Sequence, residues 1–217
     1  MARLAVYADV LTFWQDAAAS QPDDPLTNLS LGVAFNNVGR FREAMPPLEQ
    51  ALRLGPDSPA SGIHKQMGIA LSGLGHSADA IENLREALRL EPNSEVILHL
   101  LGIALLNAGS PHEAVASLEQ VCRARPTVAE SHVSLGVALL KAGRATEAVE
   151  QFQQATQLKP SSILAQATLA QAYAQLGRPS DAIAAAGRAL DLARSQKERA
   201  QAAEIGEWLR NYRNRRP

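Results

Sequence analysis

The chain repeats one hydrophobic phrase. Residues 31–58 read LGVAFNNVGRFREAMPPLEQALRLGPDS, 67–94 read MGIALSGLGHSADAIENLREALRLEPNS, 101–128 read LGIALLNAGSPHEAVASLEQVCRARPTV and 135–162 read LGVALLKAGRATEAVEQFQQATQLKPSS. Within each phrase apolar residues recur at helical spacing around a small one, as Leu135, Val137, Ala138 and Leu139 do around Gly136. A glycine inside such a stretch costs ~1 kcal/mol in helix propensity, so its presence predicts a neighbouring helix pressed against the backbone.

Four columns keep step. Gly32, Gly68, Gly102, Gly136 and Ala170 are separated by 36, 34, 34 and 34 residues, a fixed period of the kind that marks a solenoid. Gly39, Gly75, Gly109, Gly143 and Gly177 form the second column, and they predict the left-handed end of a first helix. Ala44, Ala80, Ala114, Ala148 and Ala182 then set the spacing of a returning antiparallel helix. Pro56, Pro92, Pro126 and Pro160 close that helix, with Asp57, Asn93 or Ser161 placed to cap the next one. The predicted fold class is all-α, built of antiparallel helix pairs.

These columns resemble the tetratricopeptide repeat (TPR), a 34-residue helix-turn-helix with small residues at its eighth, twentieth and twenty-seventh positions and proline at its thirty-second. The resemblance covers almost the whole chain and implies a superhelical TPR solenoid, taken as a single domain over 1–217. Full repeats fall at 25–58, 61–94, 95–128, 129–162 and 163–195. Carried backwards, the register puts Trp14 in the twenty-fourth column, Ala17 in the twenty-seventh and Pro22 in the proline column, so 4–22 reads as an N-terminal half repeat whose helix ends near residue 20. Residues 196–217 leave the pattern but keep Ala203, Gly206, Trp208 and Leu209 at helical spacing, which predicts a C-terminal capping helix with a basic tail. Two departures stand out. The first spacing is two residues longer, suggesting a lengthened turn over Ser58–Gly62 with Pro59 at the first helical position. Pro46 and Pro47 lie inside a returning helix, where a kink or a late start is expected.

Composition agrees with this fold and narrows the chemistry. The 217 residues are 46% hydrophobic and 20% charged with only 4% aromatic, the balance of a soluble helical protein. A net charge of -1 gives no global attraction to phosphates, so nucleic acid is not an expected partner. No stretch approaches the ~18 apolar residues of a membrane span, and the first residues lack a signal peptide's features. The chain as written reads as cytoplasmic, with no direct membrane insertion. His64, His76, His99, His112 and His132 show no metal-binding spacing, and His64 and His132 share the fourth column, where a partly buried packing residue is expected. Cys122 is alone and falls one position past the twenty-seventh column, beside Leu52, Leu88, Thr156 and Leu190 in the other repeats, which makes it a small core residue. No phosphate loop, nucleophile elbow or paired-cysteine motif occurs. Neither enzyme activity nor a cofactor is expected. Arg210, Arg213, Arg215 and Arg216 read as complements to a helix dipole near Trp208 and Tyr212, with an anionic-surface or linker contact as the alternative.

The family resemblance further implies a concave groove lined by the first helix of each repeat, at the second, fifth, ninth, twelfth and thirteenth positions. Carried over, the groove candidates are Val33, Ile69, Ile103, Val137 and Gln171 in the ninth column, Lys65 and His99 in the fifth, and Asn37, Asn107, Lys141 and Gln175 in the thirteenth, with Asn36 beside them. An apolar floor can take side chains of a peptide or helix, and amides can bond its backbone. The expected function is a non-catalytic protein-interaction scaffold for a peptide or partner helix. Two specialised subfamilies do not fit. The lysine and asparagine carboxylate clamp of chaperone-binding members is replaced by Leu29 with Val33 and Lys65 with Ile69. The asparagine ladder of the O-linked N-acetylglucosamine transferase is replaced by Ser30, Gln66, Leu100, Ser134 and Thr168. A weaker resemblance, carried by Trp14 and Asp16 within Tyr7–Gly32, is to the periplasmic TPR tail of bacterial multi-pass membrane mannosyltransferase-like proteins. It implies, as the alternative, an extracytoplasmic accessory domain of a membrane glycosyltransferase. A self-assembling scaffold, in its simplest form a homodimer, is the third class.

Overall fold

The computed structural model describes residues 2–55 and 59–214, with side chains from residue 9 onward. Pro56, Asp57, Ser58, Arg215 and Arg216 lie outside the described residues, and of Tyr7 only the backbone is described. Among the described residues there are twelve helices and no strand. They are α1 (Ala2–Ser20), α2 (Pro25–Asn37), α3 (Phe41–Leu54), α4 (Ala60–Gly73), α5 (Ser77–Leu90), α6 (Glu95–Asn107), α7 (Pro111–Ala124), α8 (Ala129–Lys141), α9 (Ala145–Leu158), α10 (Ile163–Gln175), α11 (Pro179–Ser195) and α12 (Arg199–Asn214).

Two compact units, Met1–Ser110 and Pro111–Pro217, divide these helices. In the first unit α1 packs on α2, α2 pairs with α3, α3 meets α4, α4 pairs with α5 and α5 meets α6. The first helices α2, α4 and α6 also touch in succession. In the second unit α7 packs on α8, α8 pairs with α9, α9 meets α10, α10 pairs with α11, and α11 meets α12, while α8 touches α10.

Each glycine of the second column turns the chain as expected. Gly39 has φ +75°, and the backbone N–H of Arg40 donates to Phe35 O at 3.0 Å while that of Gly39 donates to Asn36 O. The same pair of bonds recurs at Gly75, Gly109, Gly143 and Gly177, a doubly bonded helix ending that satisfies carbonyls left over by the last turn. The first column makes room for the returning helix. A Cβ on Gly32 would lie 2.5 Å from Leu48, and one on Gly136 would lie 2.5 Å from Cε1 of Phe152. The alanines at 44, 80, 114, 148 and 182 are all fully buried.

The caps lie one residue later than the sequence suggests. Ser162, not Ser161, caps α10, accepting from the N–H of Ala165 at 3.2 Å, and Ser94, not Asn93, precedes α6. Pro59 likewise stands before α4 and not at its first position. The expected late start at Pro46 and Pro47 does not occur, because α3 begins at Phe41 and runs without interruption to Leu54. The two prolines leave the carbonyls of Arg42 and Glu43 without helix donors. Both residues are exposed, so water can serve those carbonyls.

Fourth-column side chains bridge the two helices of a repeat, and His132 also reaches back to the preceding one. His132 Nε2 lies 2.9 Å from Pro126 O, which can only accept, so Nε2 carries a proton, and Nδ1 meets the Gln151 side chain at 2.9 Å. Asn83 donates its amide to Asp79 O, leaving Oδ1 to accept from Nδ1 of His64 at 3.0 Å. Both histidines are half-buried. Cys122 is buried, and that burial, with Glu119 nearby, pushes its thiol up to about 11.

At the ends, Leu11 is buried and Trp14 packs against the cluster that holds Ala34, Phe35, Ala44 and Leu48, whereas Phe13 is 62% exposed. Leu209 anchors α12, and Trp208 stacks on Tyr212 with ring centres 4.8 Å apart and planes 8° from parallel. The turn into α12 repeats the glycine-turn hydrogen bonds, Glu198 N–H donating to Ala193 O at 2.8 Å, but with Lys197 at φ +63°.

Candidate functional site

The first helices of the repeats are less amphipathic than the returning ones because they have neighbours on several sides, and what they leave uncovered defines the candidate site. In the first unit the ninth-column residues Val33, Ile69 and Ile103 are half-buried on α2, α4 and α6, while Asn37 and Asn107 stand exposed at the helix ends. Lys65 and His99, in the fifth column, are half-buried, and burial lowers the His99 pKa from its ordinary value. At pH 7 its imidazole is therefore neutral. Gly73 interrupts the polar thirteenth column, since a Cβ there would overlap the ring of Phe41.

Asn36 is the candidate that the structure draws inward. It is 8% exposed, and its amide donates to both Gln66 O and Gln66 Oε1 at 3.0 Å, bonding α2 to α4. Its Oδ1 has no partner among the described residues. The sequence could not reveal this link, because Asn36 and Gln66 meet only once successive repeats stack.

In the second unit Val137 is half-buried on α8, and Lys141, Gln171 and Gln175 are exposed on α8 and α10. Here α12 folds back toward the face of α10. Between α10, α11 and α12 lies a cavity of about 210 Å³, lined on its apolar side by Leu164, Ala167, Ala170, Ala186, Ile205 and Trp208. Gln171, Gln201 and Glu204 also border it. Of the candidates read from the sequence, only Gln171 reaches this cavity.

The sequence reading passed over the second column. Leu26 is 55% exposed, Val96 53% and Leu164 61%, three large apolar side chains at one recurring position on α2, α6 and α10. The same position holds Gly62 on α4 and Glu130 on α8, so the exposed apolar side chains come in alternate repeats, Leu26 and Val96 in the first unit and Leu164 in the second. The implied groove positions included the second, so the signal was available. The contribution of α12 was not, since its residues leave the repeat.

No group of histidine, cysteine and acidic side chains with metal-binding geometry occurs among the described residues, and no described helix is long and apolar enough to cross a membrane.

No curated protein matches the chain. Solved structures do. One, described as "YrrB: a TPR protein with an unusual peptide-binding site", superposes with a TM-score of 0.70 at 20% identity, covering 89% of this chain and 97% of the other. A MamA structure from AMB-1 gives 0.69 at 27% identity over 77% and 98% of the two chains. MamA from Desulfovibrio magneticus RS-1 gives 0.64 at 25% over 76% and 96%. Family models described as tetratricopeptide repeat match residues 66–94, 99–163 and 139–204, together more than half of the chain. With three such matches on helix pairs that turn at left-handed glycines and close on first-column glycines, the chain belongs to the tetratricopeptide repeat family.

Proposed function

We propose that this protein is a non-catalytic interaction scaffold that holds a peptide or partner helix against the first helices of its repeats. The observation that carries the reading is the exposed apolar side chain at the second position of three first helices, Leu26 and Val96 in the first unit and Leu164 in the second, together with half-buried Val33 and Ile103 on α2 and α6 and exposed amides at Asn37, Asn107 and Gln175. Such a face offers apolar area for a partner's side chains and donors and acceptors for its backbone. Asn37, Asn107, Lys141 and Gln175 have no hydrogen-bond or ion-pair partner among the described residues, so their polar groups are available to a guest. That one structural relative is described as having a peptide-binding site is consistent with this use of the fold.

The test is capture from native lysate on the immobilised full chain, comparing wild type with the N37A/N107A/K141A variant. All three positions are exposed, so helix content and melting temperature should not change. Partner recovery should fall sharply, and the recovered partner should have the same intact mass before and after incubation. Undiminished capture by the variant would remove these residues from the binding face, and a mass change in the partner would end the non-catalytic reading.

A further inference from the structure

The twenty-fourth column holds a large buried residue in four repeats, Leu48, Leu84, Leu118 and Phe152, all at most 1% exposed, and Leu48, Leu84 and Phe152 fill their helix pairs by pressing directly on first-column glycines. The last pair departs from this rule on both sides. Ala186 stands in place of leucine or phenylalanine, and Ala170 in place of glycine. The cavity of about 210 Å³ opens beside these two alanines, with Ile205 and Trp208 of α12 as its far wall. Stacking on Tyr212 fixes the plane of the Trp208 ring.

We propose that this cavity is an anchor site for one bulky apolar side chain of a partner peptide that carries a basic residue next to that anchor. The inference rests on the scaffold reading above and names the place and chemistry of one contact within it. Size sets the first requirement. Pockets for drug-sized ligands begin at roughly 300 Å³, whereas an apolar cavity of ~150 Å³ already holds benzene, so the space suits a single large side chain. Leu164 extends that apolar surface outward to solvent. Charge sets the second requirement, because Glu204 is the only charged residue in the lining and has no ion pair among the described residues. Gln171 and Gln201, also unpaired among the described residues, can bond the peptide backbone on either side of the anchor. An anchor in a pocket with a charged group at its edge is the arrangement in which a few residues carry most of the binding energy.

The test uses the full chain with Trp14→Phe, which leaves Trp208 as the sole tryptophan and its emission as the reporter. The probe is a blocked tetrapeptide, acetyl-Ala-Leu-Arg-Ala-amide. A saturable change in Trp208 emission is expected. It should disappear when alanine replaces leucine in the probe, and E204K should weaken binding by at least about tenfold while improving it for a probe with glutamate in place of arginine. The A170G/A186L variant restores the glycine–leucine pair of the other repeats and should abolish the signal. If that variant misfolds, E204K, which changes only an exposed side chain, still decides the matter. Equal binding to A170G/A186L, or no saturable response to the leucine probe, would overturn the proposal. So would a two-chain mass in solution that falls to one chain in A170G/A186L, which would give the cavity to a second copy. Loss of the anchor signal alongside intact dependence of partner capture on Asn37, Asn107 and Lys141 would overturn the anchor alone and leave the scaffold standing.

Discussion

The repeats at 129–162 and 163–195 are built to the same plan and finished differently. Both turn on a left-handed glycine, Gly143 or Gly177, and both bury an alanine early in the returning helix, Ala148 or Ala182. Both place an arginine–acid pair across the start of that helix, Arg144 with Glu147 and Arg178 with Asp181. In the first of them Phe152 lies on the bare backbone of Gly136 and fills the pair, while in the second the buried Ala170 and Ala186 take those two places at the floor of the cavity. One backbone template thus carries either a ring on a bare glycine or two small side chains beneath a hollow that α12 completes.

The largest effect should come from emptying the closed pair. Phe152→Ala removes a fully buried ring and should cost about 3–5 kcal/mol, read from the denaturation midpoint. Ile205→Ala, at the half-solvated cavity wall, should cost clearly less. Equal costs would erase the contrast between the closed pair and the cavity that α12 completes.

Exchanging the small residues should then act in opposite senses for packing. Gly136→Ala drives a Cβ into Phe152 and should cost about 1–3 kcal/mol in overpacking, less whatever helix propensity returns. Ala170→Gly meets no such ring and should lose only the roughly 0.5–1 kcal/mol of helix propensity. A stabilised G136A chain would mean that the Phe152 ring moves aside freely.

A pH effect extends the comparison to the preceding repeat, where Cys122 occupies the position of Thr156 and Leu190. Its thiol is held up to about 11 by burial, against an ordinary value of 9.0. Below pH 9 both folded and unfolded chains keep the proton, and the stability is fully present. As pH rises from about 9 to about 11 the unfolded chain ionises first, so stability falls across that window. Cys122→Leu should flatten this part of the profile, and iodoacetamide should label Cys122 at pH 8 only as fast as the chain opens. Rapid labelling of the native protein would contradict the buried thiol.

The smallest effect belongs to the exposed pairs. Arg144 hydrogen-bonds Glu147 and thereby holds its carboxyl below the usual range. Both partners are solvated, however, and exposed pairs contribute little to stability. Glu147→Gln and Asp181→Asn should leave the midpoint unchanged within measurement. A resolved loss in one repeat only would show that the pair does different work in the two.

The repeat columns were legible because each answers to a local or nearest-neighbour constraint: a left-handed turn at Gly143, a close approach at Gly136, a tight helix spacing at Ala148. What escaped depends on residues brought together across repeats or on the fine placement of a boundary. Asn36 was legible as a polar side chain near the groove but not as the donor that ties α2 to Gln66. Ser162 caps α10 in place of Ser161, and Ser94 stands before α6 in place of Asn93 without a side-chain cap bond, because the backbone path and not the residue type chooses the position. Pro46 and Pro47 looked disruptive, yet their orphaned carbonyls belong to exposed residues. The cavity had half its signature in plain sight, alanine at 186 where the column otherwise has leucine or phenylalanine. The other half lies in α12, which the repeat pattern does not describe.

Lys197 adopts φ +63° at a turn whose five counterparts all use glycine, and a non-glycine residue in that region costs of order 1–3 kcal/mol. The strained joint sits at the root of α12, the helix whose Trp208 forms one side of the hollow. Lys197→Gly would relax that joint, so the firmness of the wall that Trp208 gives the hollow becomes adjustable from a residue outside its lining.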